Sequence, residues 1–559
     1  MRKYLSLLFI SALFLVTLAS LPSVDRVESS VFFYLEHLPP IYYVSVVASV
    51  IIALRDKQEL TRVISVCVLT LLIIWAPSVM YVQPWHLDSY PFVAEAVYIE
   101  RNAHLSNFHY LSESPALGLT FGAFMLITGV LPFTLLKVYP GFLAILLVTL
   151  VYLTAEKLKI GKKVSIIAPL LFISILWPDV FHFSRFGFSL LYYFTSMFLL
   201  IYLIFKKTDR KILVLLLLQI IPLVISHPAT PLFFMYNLAA IAVLGWASRK
   251  LQPKETRLVF ITLVAVSISW LLWNMIGTTP GVIYTLRDMG ESILNSLLQS
   301  PTEVSGLSTI FVGYAPAYRE IINIRLILTF VVYLSSFLIP IIMYRRLRKE
   351  KVLFILTAWA YSNISITIPL LYVGLPYFQK PAFFAVAAWG PLALLLLKKN
   401  SGKWIRKASY AFLVVFIVAA ALLIPLFKYA PLPLEYPTSK ELASKGFLDF
   451  YGSTSTQFIY FEDPAYYHSY ILYNQSDLAA MHYAVFDLYS QGEGLNSTIV
   501  AESALWITSR LLVRDAFWAY TPSLHDVVEN VTVTLPETTH NKVYDSGYPE
   551  SILMPTNLD

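Results

Sequence analysis

Four stretches of this chain bring ionisable side chains together in a way that suits acid–base or phosphate chemistry. The first reads VQPWHLDSYPFVAEAVYIERNAHLSNFHYLSES from Val82. Ser89 followed by Pro91 marks a helix start, a hydroxyl cap with proline in the first turn. Phe92, Ala96 and Ile99 then recur at helical spacing. Asp88 stands just before that N-terminus, where the helix dipole favours the ionised carboxylate, and Glu95 falls about two turns further along the same face. A fixed, ionised carboxylate in that place suits a general base or a metal ligand. The alternative is that Asp88 only caps the helix.

The second stretch, PDVFHFSRFGFS, sets Asp179, His182 and Arg185 in one short turn. Arg185 there either holds an anion or snorkels to lipid phosphates. The third is the proline-bracketed corner from Ser226 to Pro231, which presents His227. Its ring suits proton transfer near neutral pH or a structural hydrogen bond. The fourth, YFQKPAFF, carries Lys380 as the only basic residue of its loop, placed to hold a phosphate as a point charge or to snorkel. Between these, residues 277–321 predict an amphipathic helix, with Ile283, Leu286, Met289 and Ile293 on one face and Arg287, Glu291 and Asn295 on the other.

The elements that position these groups are those of a membrane protein. The 559 residues are 57% hydrophobic and 13% charged, with mean hydropathy +0.67, against about 25% charged in a soluble domain. Residues 1–427 are a succession of apolar stretches of about 16–22 residues, each long enough for a helix that crosses the hydrocarbon core. The first, from Tyr4 to Ser20, follows Arg2-Lys3 but lacks a small-residue cleavage site, so a retained helix is expected. Residues 428–559 read as a soluble domain of mixed α/β or β-rich character, with strand-like runs at Gln457–Tyr460 and Val531–Leu535 and a helix over Ala501–Leu512. The fold class is therefore an α-helical polytopic membrane protein of about 13–14 spans with a C-terminal extracytoplasmic domain.

Charge orients it. Most of the 41 basic residues collect in seven short clusters, at Arg2-Lys3, Arg55–Arg62, Lys157–Lys163, Lys206–Lys211, Arg249–Arg257, Arg345–Lys351 and Lys398–Lys407. Basic loops face the cytoplasm, so the N-terminus is inside. The four chemical stretches, at 82–114, 178–187, 226–231 and 371–381, are then outside together with 277–321 and the tail after 428. The helix from Ser89 is expected to lie on the outer membrane surface. Between Ser114 and Lys157 two apolar runs, Pro115–Gly129 and Val138–Ala155, would return the chain to the wrong side if both crossed, so one is expected to be partial. Sequons at Asn474, Asn496 and Asn530 fit an outer tail. The single cysteine, Cys67, rules out an internal disulfide.

These features exclude several classes. The net charge of +7 is a topology signal, which removes nucleic acid as a partner. No P-loop, dinucleotide fingerprint, HExxH or zinc-type cysteine pair is present, and no metal ligands are assigned. A transporter or flippase of lipid-linked sugars needs a polar path through the midplane, where charged residues are nearly absent. A scaffold for the outer domain needs far fewer spans.

The stretch WHLDSYPFVAEAVYIERNAHLSNFHYLSESPALGLTFGAFMLITG, followed by LPFTLLKVYPGFLAILLVTLVYLTAEKLKIGKK and by VFHFSRFGFS, resembles the GT-C superfamily of membrane glycosyltransferases. NKVYDSGYPESIL is similar to the β-rich tails of archaeal members. The resemblance implies a sugar donor linked to polyprenyl phosphate, transfer on the outer face, and an acceptor lipid, glycan or protein. It implies Asp88 as general base in an inverting attack, with Arg185, Lys380 and His227 binding the donor phosphate and Glu95, Asp179 and His182 in support. It leaves the cofactor unknown, with a divalent metal open. Two features depart from the family pattern: two extra spans, at about 4–20 and 40–54, precede the one leading to Asp88, and the second outer loop lacks a DxD pair.

Overall fold

The computed structural model describes residues 4–276 apart from short gaps (26–31, 85, 87–88, 106–113, 159–161, 176–180 and 206–208), then 351–372, 414–423, single positions 334, 411 and 425, and four strands between 458 and 555. In chain order the helices are α1 (Leu5–Ser20), α2 (Phe33–Glu36), α3 (Pro40–Arg55), α4 (Glu59–Ile74), α5 (Ala76–Met80), α6 (Ser89–Asn102) and α7 (Ala116–Thr128). There follow α8 (Pro132–Lys157), α9 (Lys162–Ile175), α10 (Arg185–Phe205), α11 (Arg210–Ser226), α12 (Thr230–Ala247), α13 (Pro253–Ile276) and α14 (Lys351–Tyr372). The chain is a mostly helical membrane protein. Among the described residues α8, α10, α12 and α13 are long and apolar enough to cross a bilayer, and α1, α3, α7 and part of α14 are shorter apolar helices. The segment 277–321, with its expected amphipathic helix, lies outside the described residues.

Length bears on the ambiguity before Lys157. Helix α7 has 13 residues and is therefore about 20 Å long, short of the roughly 30 Å of a hydrocarbon core. It ends at Gly129, whose φ of 68° is a left-handed C-cap that glycine adopts without strain. Pro132 then starts α8, which at 26 residues is long and apolar enough to cross.

Helix α6 departs from expectation. It forms where the Ser89 and Pro91 signals place it, but Val93, Ala94, Glu95, Ala96 and Val97 are all buried, so it packs into the bundle and does not lie on a surface. The reason is α7. Gly118 and Gly122, one turn apart, open a groove that takes Glu95, Ala96 and Ile99. A Cβ on Gly122 would stand 2.8 Å from the Ala96 carbonyl oxygen, a backbone atom that cannot swing away. Gly122→Ala is expected to destabilise the protein by about 1–3 kcal/mol through this overpacking, read as a lower melting temperature in lipid nanodiscs.

Basic residues at helix ends tie neighbouring helices together. Arg62 of α4 donates from Nε to the Ala53 carbonyl near the end of α3 at 3.0 Å, and Tyr152 of α8 donates to Glu59 at 2.6 Å. Lys351, first residue of α14, pairs with Glu255 of α13 at 2.5 Å and lies over the Phe205 ring at the end of α10. At the other end, Tyr139 of α8 meets Phe183, just before α10, edge to face at 4.9 Å. The starts of α8 and α10 therefore lie side by side.

In the tail, β1 (Phe458–Ile459), β2 (Ala504–Ile507), β3 (His540–Asp545) and β4 (Ser551–Pro555) form a sheet of order β1-β2-β4-β3. Strands β3 and β4 are antiparallel, with an irregularity between Lys542 and Tyr544. The helix expected over Ala501–Leu512 is corrected: Ala504–Ile507 is a strand, pairing Leu505 with Leu553 and Trp506 with Ile552. A short apolar run carries no periodicity that separates strand from buried helix, and here the cross-strand partners decide. The sequons and the run Val531–Leu535 lie outside the described residues.

Candidate active site at three helix N-termini

The N-termini of α6, α10 and α12 meet in the bundle. Each is preceded, three residues earlier, by a histidine: His86 before Ser89, His182 before Arg185, His227 before Thr230. All three rings are less than one-tenth exposed.

Local chemistry starts each helix. Before α6, the His86 carbonyl accepts from the Ser89 N–H at 3.1 Å, and the Tyr90 hydroxyl donates to the Pro84 carbonyl at 3.2 Å. Before α10, Ser184 is the cap, its Oγ accepting from the Gly187 N–H at 3.2 Å. Before α12 the cap is His227 itself: Nδ1 accepts from the backbone N–H groups of Ala229 at 3.3 Å and Thr230 at 3.2 Å, with the Thr230 hydroxyl 3.1 Å away. An acceptor Nδ1 puts the ring proton on Nε2, so Nε2 is the nitrogen through which His227 can address a ligand while the cap stands. His227→Ala is expected to lower stability by about 1 kcal/mol, and His227→Asn to restore it, because the amide oxygen occupies the place of Nδ1. Thermal melting of the two variants beside wild type checks this.

Side chains then tie the three ends together. The rings of His86 and His182 stack face to face, centroids 3.6 Å apart and 14° from parallel. The Arg185 guanidinium lies over the Phe92 ring of α6 at 5.2 Å, a cation–π contact. The next residue, Phe186, packs against His227 at 5.3 Å, and Ser189 of α10 shares a 2.7 Å hydrogen bond with Thr230 of α12. The segment leading into α6 is braced from behind. Val24, between α1 and α3, donates its N–H to the Met80 carbonyl at 2.8 Å and accepts from the Val82 N–H at 3.1 Å, while Tyr34 stacks on Tyr81. The segment between α1 and α3 thus braces the chain ahead of α6.

Of the residues singled out from the sequence, Arg185, His182 and His227 are brought into this cluster. Glu95 is buried in α6 and turned towards Gly118 of α7. Asp88, Asp179 and Lys380 lie outside the described residues, although Asp88 is covalently bracketed by His86 and Ser89, which belong to the cluster. His86 and Phe92 were not singled out. The signal for His86 was the repeated spacing, a histidine three residues before each of three helix starts. Electrostatically the place favours an anion. Three helix N-termini each present partial positive charge, and Arg185 adds a full one. Among the described residues no cluster of three or more potential metal ligands occurs.

No protein-family model matches the chain, and no curated protein is similar to it in sequence. Among solved structures it is similar to the oligosaccharyltransferase of Archaeoglobus fulgidus tethered with an acceptor peptide containing the NVT sequon, at 11% identity and a TM-score of 0.45 over 71% of this chain and 58% of that one. It is similar to the archaeal oligosaccharyltransferase AglB from Archaeoglobus fulgidus in complex with an inhibitory peptide and a dolichol-phosphate, at 13% identity and a TM-score of 0.46 over 72% of this chain and 59% of that one. For the complex with Zn and sulfate the values are 14% identity and a TM-score of 0.39, over 73% and 56%. The match thus covers less than three-fifths of the length of those proteins.

Proposed function

We propose that this protein is a membrane glycosyltransferase that moves a sugar from a polyprenyl-phosphate donor to an acceptor on the outer face of the membrane. In the step, an acceptor hydroxyl attacks the anomeric carbon with inversion while the bond from that carbon to the phosphate oxygen breaks. The hydroxyl proton goes to the Asp88 carboxylate, and the bonding pair leaves with the phosphate. Arg185 and Lys380 neutralise that phosphate, and His227 offers it an Nε2–H. Residues 1–427 form the membrane part, with the N-terminus in the cytoplasm, and residues 428–559 an outer domain. The acceptor is a lipid, a glycan or a protein.

The observation that carries this reading is the joining of the Asp88-bearing segment to the start of α10, by His86 on His182 and Phe92 under Arg185. A cation on the first turn of α10, tied to the segment that enters α6, suits a leaving phosphate, and the base is assigned to Asp88 in that segment. The transporter reading finds less support. The buried polar groups at mid-bundle, Asn237 of α12 with Ser362 and Asn363 of α14, are hydrogen-bonded to one another, Asn363 Nδ2 reaching Asn237 Oδ1 at 2.7 Å. Trp359 closes the set by donating to Tyr193 at 2.7 Å. Satisfied in this way and sealed from solvent, they lock helices and do not line a path.

The test is transfer of labelled sugar by the full chain in lipid nanodiscs, supplied with polyprenyl-phosphate sugars and lipid, glycan and peptide acceptors. Stoichiometric release of polyprenyl phosphate with labelled product supports the reading. Movement of intact donor between leaflets, without product, would replace it with the transporter.

A further inference from the structure

We propose that His86 is a positioning residue: by stacking on His182 it holds the segment that carries Asp88 in register with Arg185. This rests on the transferase reading for its consequence, though not for its geometry.

The two rings lie at 3.6 Å and 14°, stacked and nearly parallel. Both are buried, and each is anchored at its own backbone. His86 accepts from Ser89 at the start of α6; His182 leads into Ser184, which caps α10. In sequence, Asp88 is two residues beyond one ring and Arg185 three beyond the other. The other direct tie between these segments among the contacts described, Arg185 over Phe92, uses the guanidinium that must also face the phosphate. The stack does not draw on that guanidinium. Misplacement of a reacting group by about 1 Å costs on the order of 10²-fold in rate, so loss of this contact reads out in turnover before it reads out in binding.

The experiment uses the full chain in nanodiscs with His86→Ala, His182→Ala, the double variant and His86→Phe. Melting temperatures come first, since they need no activity. If the rings are coupled, the double variant loses less than the sum of the two single losses, and His86→Phe, whose flat ring can still stack, melts near wild type. Additive losses would overturn the proposal whatever the protein's reaction. Transfer kinetics come second. His86→Ala is expected to lower kcat by about 10- to 100-fold with donor KM nearly unchanged, and His86→Phe to recover most of it. A His86→Phe variant that melts like wild type but is as slow as His86→Ala would show that an imidazole nitrogen acts in the chemistry, and positioning would be the wrong role. Coupled rings in a protein that transfers no sugar would keep the stack and remove the role proposed for it, so the two failures separate.

Discussion

Asp88→Asn is expected to lower kcat for sugar transfer by a factor of about 10² to 10⁴, the usual contribution of a positioned base, while donor KM stays within a few-fold. The choice of asparagine is what makes the result interpretable. Asp88 stands one residue before Ser89, the first residue of α6, where a side-chain oxygen can also serve a helix start. Asparagine caps as well as aspartate does, so this variant keeps that oxygen and the side-chain volume and gives up only proton acceptance. Asp88→Ala removes both. If the carboxylate is only a cap, Asn behaves as wild type in turnover and in melting, and Ala loses stability with a modest effect on rate. If it is the base, Asn and Ala are equally slow, and only Ala melts early. Wild-type turnover by the Asn variant would sink the mechanism.

The parts of the structure that could be read from the chain are those in which one segment decides for itself. An apolar run in lipid has to be helical because its backbone has no other partners, so α8, α10, α12 and α13 follow from hydropathy alone. The start of α6 follows from Ser89 and Pro91, and the charge on either side leads to the expectation that one of two runs does not cross. Which of the two is short depends on Gly129, which ends α7, and on Pro132, which restarts the chain as α8. The burial of α6 was not legible, because a helix that carries Glu95 reads as one lying at the membrane surface. Glu95 is taken inward only because α7 offers two glycines in register. In the tail, strand β2 has the composition of a short helix and becomes a strand through partners about fifty residues further on. The site divides in the same way. Arg185, His182 and His227 stood out as ionisable residues in turns, whereas the contacts that make them a site, His86 on His182 and Phe186 on His227, join segments remote in sequence.

Arg185→Ala should lower kcat by about 10² to 10³, the usual loss when one preorganised stabiliser of developing negative charge is removed. The helix N-termini remain in this variant, so the site keeps partial positive charge and some donor binding. Phe92 loses its cation–π partner, worth about 0.5–2 kcal/mol, so a small fall in melting temperature accompanies the loss of rate. Arg185→Lys separates charge from geometry. Lysine restores the unit charge at the start of α10 but is a point charge on a flexible stem, without the planar fork that rests on Phe92 while pointing donors elsewhere. The expected order is therefore wild type, then Lys, then Ala, with Lys recovering more donor affinity than turnover. If Arg185 instead serves only lipid headgroups, Lys, which snorkels equally well, restores everything, and Ala alters melting but not kcat. The ratio of the Lys and Ala rates thus distinguishes a group that meets the leaving phosphate from one that faces the bilayer.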